Sequence, residues 1–350
     1  MPSPSSSSMR VVVRGSGSIG QRHARVFRQV GAEVSLWPVR DRGAAPDAAP
    51  DAVDEATGAR LLDDSTGPGS LRDTLVVVAT DTSRHVADAI AALDAGAFAV
   101  LVEKPVAATV DDAHALRGHP RSVDVWVAAP LRAHEAFRHL RRLVGRIDGS
   151  ASAHVRSQSW LPGWRPDRDY RTSYSARPDE GGVLRDMVHE IDYATVLFGR
   201  PELIGSRLET SGPLDIEAEQ AATLLWETGH PFTVTARLDY VTRPTSRGVV
   251  VHSHDGILEW DVTRAMVRHT TADGEVSEQV FDHDLDRDIV MGTQARAALD
   301  LRPSAPADQR LARGAPATLA EGIDALRVCD EARATGLHVA DPAADPEDAS

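Results

Sequence analysis

Residues 11–20 read Val11-Val12-Val13-Arg14-Gly15-Ser16-Gly17-Ser18-Ile19-Gly20. A short apolar run leads into a turn with three glycines, and helical spacing then continues from Gln21 to Val30. A strand, a glycine turn, a helix and a second strand within about thirty residues are typical of a dinucleotide-binding unit. Gly15 permits the tight turn, Gly17 lets a pyrophosphate approach the backbone, and Gly20 allows the helix to pack closely on the strand.

Strand and helix patterns continue to alternate as far as residue 130. The predicted elements after the glycine turn are strands at Glu33–Trp37, Leu75–Ala79, Ala97–Val102 and Val123–Ala129, and helices at His85–Ala95 and Val110–Arg117. Such alternation predicts an α/β Rossmann domain with a parallel sheet. After residue 200, β-type runs separated by turn signals such as Asp255-Gly256 predict an α+β domain with a large open antiparallel sheet.

The length of 350 residues also favours two domains. We predict a disordered extension at 1–8, a dinucleotide-binding domain at 9–130, a substrate and oligomerisation domain at 131–340, and a disordered tail at 341–350. A terminal helix predicted at Leu319–Thr335 is a candidate to pack back on the first domain.

Composition excludes several classes of protein. The net charge of −14 argues against nucleic acid as a partner, because phosphate repels an acidic surface. Cys329 is the only cysteine, which excludes an internal disulfide and a cysteine-based zinc site. No apolar run approaches the roughly 20 residues of a membrane span, and residues 1–8 lack the apolar core of a secretory signal. We therefore expect a cytoplasmic protein that has no membrane partner.

The tripeptide Glu103-Lys104-Pro105 follows a predicted buried strand. A lysine at the carboxyl end of such a strand is costly unless it meets an anion, a hydroxyl or a carbonyl group. Together with the glycine turn, Lys104 indicates chemistry at a bound dinucleotide.

A second polar constellation lies in residues 181–199, which have helical spacing and end at Gly199 before Pro201. On a helical wheel, Asp186, His189, Glu190 and Tyr193 share one polar stripe. A histidine, with an unperturbed pKa of about 6.5, is suited to move a hydroxyl proton, and an adjacent carboxylate can orient its ring. Lys104, His189 and Asp186 form a candidate catalytic set, whereas the alternative is a surface pair and a solvated lysine.

The choice of cofactor depends on the end of the second strand, where an NAD-preferring enzyme usually carries an acid. Here Arg40 and Arg42 follow Trp37, and the expected position has no acid. The two arginines can hold a 2′-phosphate, which favours NADP(H) over NAD(H), or they belong to a solvated loop.

The chain resembles the Gfo/Idh/MocA oxidoreductases, named for glucose–fructose oxidoreductase and inositol dehydrogenase. The resemblance spans residues 9–340 and depends on the glycine turn, residues 79–85, the tripeptide at 103–105 and residues 181–199. It implies a Rossmann domain, an open antiparallel sheet domain, and oxidation of a hydroxyl or reduction of a ketone on a sugar, nucleotide sugar or cyclitol. It also implies a homodimer or homotetramer formed through the antiparallel sheet.

The resemblance further implies roles for individual residues. Lys104 and His189 match the catalytic lysine and histidine, and Asp186 matches the nearby carboxylate, although many members separate the Asp and His by four residues rather than three. The residues expected to bind the cofactor are Gly15, Gly17, Ser18, Ile19, Gly20, Arg40, Arg42, Thr80, Thr82, His85 and Glu103.

Residues 160–171 look like an insert of a subgroup that makes sugars for glycans or secondary metabolites. Its aromatic rings can stack on a sugar or a base, and its arginines can pair with a carboxylate or phosphate. The alternative is an arm that packs on a partner subunit. The candidate substrate residues are Trp160, Trp164, Arg165, Arg168, Tyr170 and, from the helix, Tyr193.

Three other interpretations remain. A metal site at Asp186, His189 and Asp192 is not required by nicotinamide chemistry, so we predict no metal. A dinucleotide-binding sensor needs no proton-transfer residues, so Lys104, Asp186 and His189 argue against it. A glycosidase that retains its NAD cofactor would belong to the same family.

Overall fold

The computed structural model describes residues 9–39, 53–62, 70–229, 231–301 and 303–339. The predicted terminal segments 1–8 and 341–350, and the predicted cofactor residues Arg40 and Arg42, lie outside the described residues.

Helices and strands alternate first and then separate into blocks, as the sequence predicts. The helices are α1 Ser18–Gln29, α2 His85–Asp94, α3 Val110–Arg117, α4 Glu135–Val144, α5 Val183–Asp186, α6 Val188–Phe198, α7 Arg287–Leu299, α8 Ala307–Ala312 and α9 Leu319–Thr335. The strands are β1 Arg10–Arg14, β2 Glu33–Trp37, β3 Arg60–Leu61, β4 Thr74–Val78, β5 Ala99–Val102, β6 Val125–Val127, β7 Ala151–Trp160, β8 Pro201–Glu209, β9 Ala221–Thr228, β10 Phe232–Asp239, β11 Val241–Ser253, β12 Gly256–Asp261, β13 Met266–Thr271, β14 Val276–Val280, β15 Ala317–Thr318 and β16 Leu337–Val339.

The chain divides into two compact units. The first comprises Met1–His134 and Asp286–Ile323, and the second comprises Glu135–Leu285 and Asp324–Ser350. The first unit thus contains segment 286–323, which includes the start of the predicted terminal helix, in addition to the residues before 135.

The first unit contains a seven-stranded sheet with the order β15-β6-β5-β4-β1-β2-β3. All neighbours are parallel except β15, which pairs antiparallel with β6. Every residue of β4 and of β5 is buried, as expected for strands covered on both faces. The predicted Rossmann domain with a parallel sheet is therefore confirmed.

The second unit contains a nine-stranded sheet with the order β14-β13-β12-β11-β7-β10-β9-β8-β16. Two pairs, β10 with β7 and β16 with β8, are parallel, and the other pairs are antiparallel. Along β7 buried residues alternate with more exposed ones, so one face of the sheet is covered and the other is open. The predicted antiparallel sheet is confirmed for most of its strands.

Segment 276–312 contained elements that the sequence patterns did not reveal. Strand β14 is exposed throughout, so its side chains carry no alternation of apolar and polar positions. Helix α7 packs on α1, and its buried residues include small or polar ones such as Gln294, Ala295 and Ala298. The one clear local signal is Asp286, whose carboxylate accepts hydrogen bonds from the backbone N–H groups of Asp288 and Ile289.

Among the described residues, every helix is too short or too polar to cross a lipid bilayer.

Packing explains two of the three glycines in the turn. Gly15 has a φ of +105°, a conformation that residues with a Cβ rarely adopt, and a Cβ there would press on the carbonyl of Ala79. A Cβ on Gly20 would overlap the carbonyl oxygen of Gly15. A Cβ on Gly17, in contrast, would meet nothing within 4 Å.

We expect Gly20→Ala to lower the free energy of unfolding by about 1–3 kcal/mol, because the overlap with backbone outweighs the higher helix propensity of alanine. The matched variant Gly17→Ala is expected to cost less than about 1 kcal/mol, the usual difference between glycine and alanine at a helix N-cap. Urea unfolding of both variants measures the contrast. Equal stability of the two would contradict this account of the turn.

Candidate functional site

In the first unit, the glycine turn leaves the start of α1 open to a ligand. Gly17 is the N-cap of α1, and no side chain caps the N–H groups of the first turn. These N–H groups and the positive end of the helix dipole suit an anion. Because Gly17 faces open space while Gly15 and Gly20 face backbone, the turn fits the pyrophosphate of a dinucleotide.

The segment after β4 lies at the same edge of the sheet as the glycine turn, because β1 and β4 are parallel neighbours. The Thr80 hydroxyl donates to Asp88 at 2.9 Å, and Thr82 begins a single helical turn that ends at Arg84. Both threonines are partly exposed at this edge. Their predicted contact with a cofactor stays a prediction.

His85 differs from the prediction that it lines the cofactor. The side chain is 1% exposed, with Nδ1 2.8 Å from the carbonyl oxygen of Pro105 and Nε2 3.1 Å from that of Thr80. The ring is therefore buried between the segments that contain Thr80 and Pro105, because each of its nitrogen atoms faces a carbonyl group of one of them. Burial lowers the pKa of the His85 imidazole, while the two carbonyls act in the opposite direction.

Glu103 and Lys104 follow β5, which pairs with β4 on the side away from β1. Both side chains are partly exposed. A Glu103 oxygen accepts a hydrogen bond from His23 Nε2 of α1 at 2.6 Å. The structure thus brings Glu103 and Lys104 to the same edge of the sheet as the glycine turn.

In the second unit, residues 183–198 do not form one continuous helix. Helix α5 ends at Asp186, and α6 begins at Val188, because Met187 has φ −101° and ψ 27° between them. Asp186 is buried, whereas His189 is half-buried.

Two tyrosines hold Asp186 in place. The Tyr174 hydroxyl donates to one carboxylate oxygen at 2.5 Å, and the Tyr240 hydroxyl donates to the other at 2.6 Å. Burial of the hydroxyls raises the pKa of both tyrosines well above their usual value, and the Asp186 charge adds to this effect. Each tyrosine therefore stays protonated and remains a hydrogen-bond donor to the carboxylate.

Besides Asp186, two further residues of the predicted polar stripe are buried, so only His189 of the four is partly exposed. Glu190 is fully buried and accepts two hydrogen bonds from Arg247, at 2.6 and 3.1 Å. Tyr193 is also fully buried, packs against Phe137 and Trp260, and donates its hydroxyl to the Gly248 carbonyl at 3.2 Å. Tyr193 therefore lies in the core of the second unit, and its predicted substrate role stays a prediction.

The predicted insert lies beside Asp186 through Trp164. This ring is edge-on to Tyr240 with centroids 5.5 Å apart, and its Nε1 donates to Ser159 at 2.9 Å. Trp164 keeps 43% of its surface exposed. The charge of Arg165 opposes the rise in the pKa of Tyr174, as expected of a cation close to that hydroxyl.

The other insert residues make local contacts. The Arg243 guanidinium lies over the Trp160 ring, 4.0 Å from its centroid, and the Tyr170 hydroxyl accepts a hydrogen bond from the Asp215 N–H at 3.4 Å. Arg168 is exposed. Both predicted roles of the insert, substrate binding and packing on a partner subunit, stay predictions.

Across the described ranges, no group of three or more His, Cys, Asp or Glu side chains is arranged to hold a metal ion.

Sequence reasoning missed His23, Tyr174 and Tyr240. His23 carried a readable signal, because it lies four residues before Phe27 on the buried face of α1. The two tyrosines are 66 residues apart in sequence, and only the folding of β10 and the turn at 174–176 brings them to one carboxylate.

Comparison with known proteins supports these features. A family model described as "Oxidoreductase family, NAD-binding Rossmann fold" matches residues 9–128. No curated protein matches the chain in sequence.

Several solved structures share the fold over nearly the whole chain. UDP-N-acetylglucosamine 3-dehydrogenase GnnA from Acidithiobacillus ferrooxidans is 19% identical, with a TM-score of 0.70 over 94% of this chain and 98% of that one. Levoglucosan dehydrogenase in complex with NADH and levoglucosan is 17% identical, with a TM-score of 0.71 over 93% and 97%. Biliverdin reductase from Synechocystis sp. PCC 6803, in complex with biliverdin and NADP+, is 22% identical, with a TM-score of 0.69 over 94% and 99%.

At these identities the solved structures show a common fold, and the family model matches the first part of the chain. The match begins one residue before β1 and ends just after β6, so it covers the glycine turn, His85 and Lys104. Residues 9–128 therefore carry the NAD-binding Rossmann domain that this family model describes, as the sequence motifs predicted.

Proposed function

We propose that the protein is an NAD(P)-dependent oxidoreductase that acts on a secondary hydroxyl or ketone of a sugar, nucleotide sugar or cyclitol. One observation carries the proposal. Of the 38 lysine and arginine residues, Lys104 is the only lysine, and it stands at the carboxyl edge of the parallel sheet that bears the glycine turn. A lysine offers a compact ammonium with a removable proton, which arginine does not.

The roles of the side chains follow from their chemistry. A bound nicotinamide supplies the acceptor or donor of hydride. Lys104 donates a hydrogen bond to the reacting oxygen and stabilises the negative charge that develops there. His189 accepts the hydroxyl proton during oxidation and returns it during reduction. Asp186, held by Tyr174 and Tyr240, gives His189 a rigid and negatively charged neighbour.

The substrate class is supported by the proteins of similar structure and by the insert. Two of the three structures reported above are dehydrogenases of a nucleotide sugar and of an anhydrosugar. An exposed Trp164 next to the Asp186 cluster suits the apolar face of a sugar ring. We further propose that Trp160, Arg165, Arg168 and Tyr170 contribute to the same subsite, in a biosynthetic pathway in the cytoplasm.

For the cofactor, we propose a preference for NADP(H). The solved neighbours hold either NADH or NADP+, so the family leaves the choice open. Strand β2 ends at Trp37, and the next two residues, Pro38 and Val39, carry no acid for a ribose hydroxyl. Arg40 and Arg42 then supply positive charge for a 2′-phosphate.

We propose that the protein forms a homodimer or homotetramer through the nine-stranded sheet. Its open face carries exposed polar side chains such as His154 on β7 and Thr233 on β10. The open face of a nine-stranded sheet is large enough to pack against the same face of a second copy of the chain.

We expect Lys104→Arg and Lys104→Ala each to lower kcat about 100- to 1,000-fold, because each removes the compact donor at the reacting oxygen. The dissociation constant of NADPH, followed by fluorescence, should not change. Arg117→Ala, at the exposed end of α3, is the control and should behave as wild type. Full activity of Lys104→Arg would show that only positive charge is needed there and would refute the proposed donor role.

We expect the double variant Arg40→Ser, Arg42→Ser to bind NADPH about 10- to 100-fold more weakly, since it loses charged hydrogen bonds to a phosphate. NADH affinity should be unchanged, because NADH has no 2′-phosphate. Titration calorimetry with both cofactors measures the two constants. An equal loss for both would assign the arginines to general folding or charge instead.

A further inference from the structure

Two buried histidines contact the residues on either side of Lys104. His23 is 4% exposed and lies on α1, one turn after Gly20. Because an ionised carboxylate only accepts hydrogen bonds, His23 donates from Nε2 to Glu103 Oε1 at 2.6 Å. Glu103 precedes Lys104 in the chain, and its second oxygen accepts the backbone N–H of Lys104 at 3.3 Å.

The second histidine acts on the residue that follows Lys104. His85, at the first position of α2, faces the Pro105 carbonyl with Nδ1 at 2.8 Å and the Thr80 carbonyl with Nε2 at 3.1 Å. A neutral imidazole has a single N–H and can donate to one carbonyl at a time. The shorter contact assigns that N–H to Nδ1, and hence to Pro105.

These contacts restrict the backbone of Lys104 from both directions. Upstream, Glu103 also donates its N–H to the Val78 carbonyl at 2.9 Å, which ties the residue to β4. Downstream, a proline limits the conformations of the residue before it, and His85 holds that proline through its carbonyl. Through its two chain neighbours, Lys104 is thereby linked to α1 and to α2.

We propose that His23 and His85 are positioning residues that set the place of the Lys104 ammonium by clamping its two chain neighbours. The inference rests on the proposed role of Lys104. The proposal requires that each histidine donates from a defined ring nitrogen, Nε2 in His23 and Nδ1 in His85. Simple filling of buried space would depend on the volume of each ring and not on which nitrogen donates.

A crossed pair of substitutions separates the two accounts. The side-chain amide nitrogen of glutamine takes the place of imidazole Nε2, and that of asparagine takes the place of Nδ1. His23→Gln and His85→Asn therefore keep the required donor, whereas His23→Asn and His85→Gln lose it. His119→Ala is the control, because His119 pairs with Asp94 at the far end of α2, next to the opposite edge of the sheet.

The single lysine provides a readout that does not depend on activity. Protein labelled with [15N]lysine has one lysine backbone amide, that of Lys104, which bonds Glu103 directly. We expect its cross-peak to shift or split in His23→Asn and His85→Gln, and to stay in place in His23→Gln, His85→Asn and His119→Ala. The two donor-losing variants should also lose about 10- to 100-fold in kcat, as for a displaced catalytic group, with the KM and the NADPH dissociation constant unchanged.

The proposal is overturned if glutamine and asparagine act alike at each position, or if His119→Ala moves the cross-peak as much. A parallel loss of NADPH binding and kcat would likewise assign the histidines to general structure. If wild-type protein neither binds NADPH nor transfers hydride, the proposed function fails, while the cross-peak pattern still decides whether the histidines position Lys104.

Discussion

A buried strand that ends in a charged residue needs polar partners at that end, and β5 meets this need with hydrogen bonds from its surroundings. Glu103 is held by His23 and by the β4 backbone, and Pro105 is held by His85. The side chain of a lysine is long and flexible. A rigid backbone at that residue reduces the entropy lost when the ammonium group binds a substrate oxygen. The glycine turn lies at the same edge, because it leads into α1, which carries His23.

The second unit also contains a buried charged group, Asp186, whose hydrogen-bond partners are tyrosine side chains. Asp186 lies just before the break at Met187, and its two oxygens accept hydrogen bonds from Tyr174 and Tyr240. Buried carboxylates are costly unless they are well hydrogen-bonded. Here Tyr240 also connects the carboxylate to Trp164, so the insert and the end of α5 form one packed cluster. His189, which is half-buried, lies three residues after this fixed carboxylate in the chain.

Much of the first unit was readable because its signals are local. The strand at Glu33–Trp37 and the helix at Val110–Arg117 have the predicted bounds, since apolar runs and caps mark them. Helix α9, at Leu319–Thr335, was also predicted to the residue. Helix α7 and strand β14 were missed, because small side chains and an exposed edge leave little apolar periodicity.

The helical wheel predicted the wrong environment for α6, because this helix is buried on more than one side. Glu190 and Tyr193 fall on the predicted polar stripe, but the second unit covers that side of α6 as well, and Arg247 and the Gly248 carbonyl satisfy their polar groups. A helical wheel assumes that one face of the helix is exposed to solvent, but most residues of α6 are buried.

Chain-local chemistry was sufficient to identify the dinucleotide turn, the lysine at a strand end, the Asp–His pair and the oxidoreductase family. Each of these motifs spans only a few residues, so local spacing reveals it, whereas the family came from the resemblance of the motifs taken together. The partners of those groups came only from the fold: His23 for Glu103, His85 for Pro105, and two tyrosines for Asp186. Each joins elements that are distant in the chain, and hydrogen bonds of that kind depend on how strands and helices pack, which no local pattern encodes.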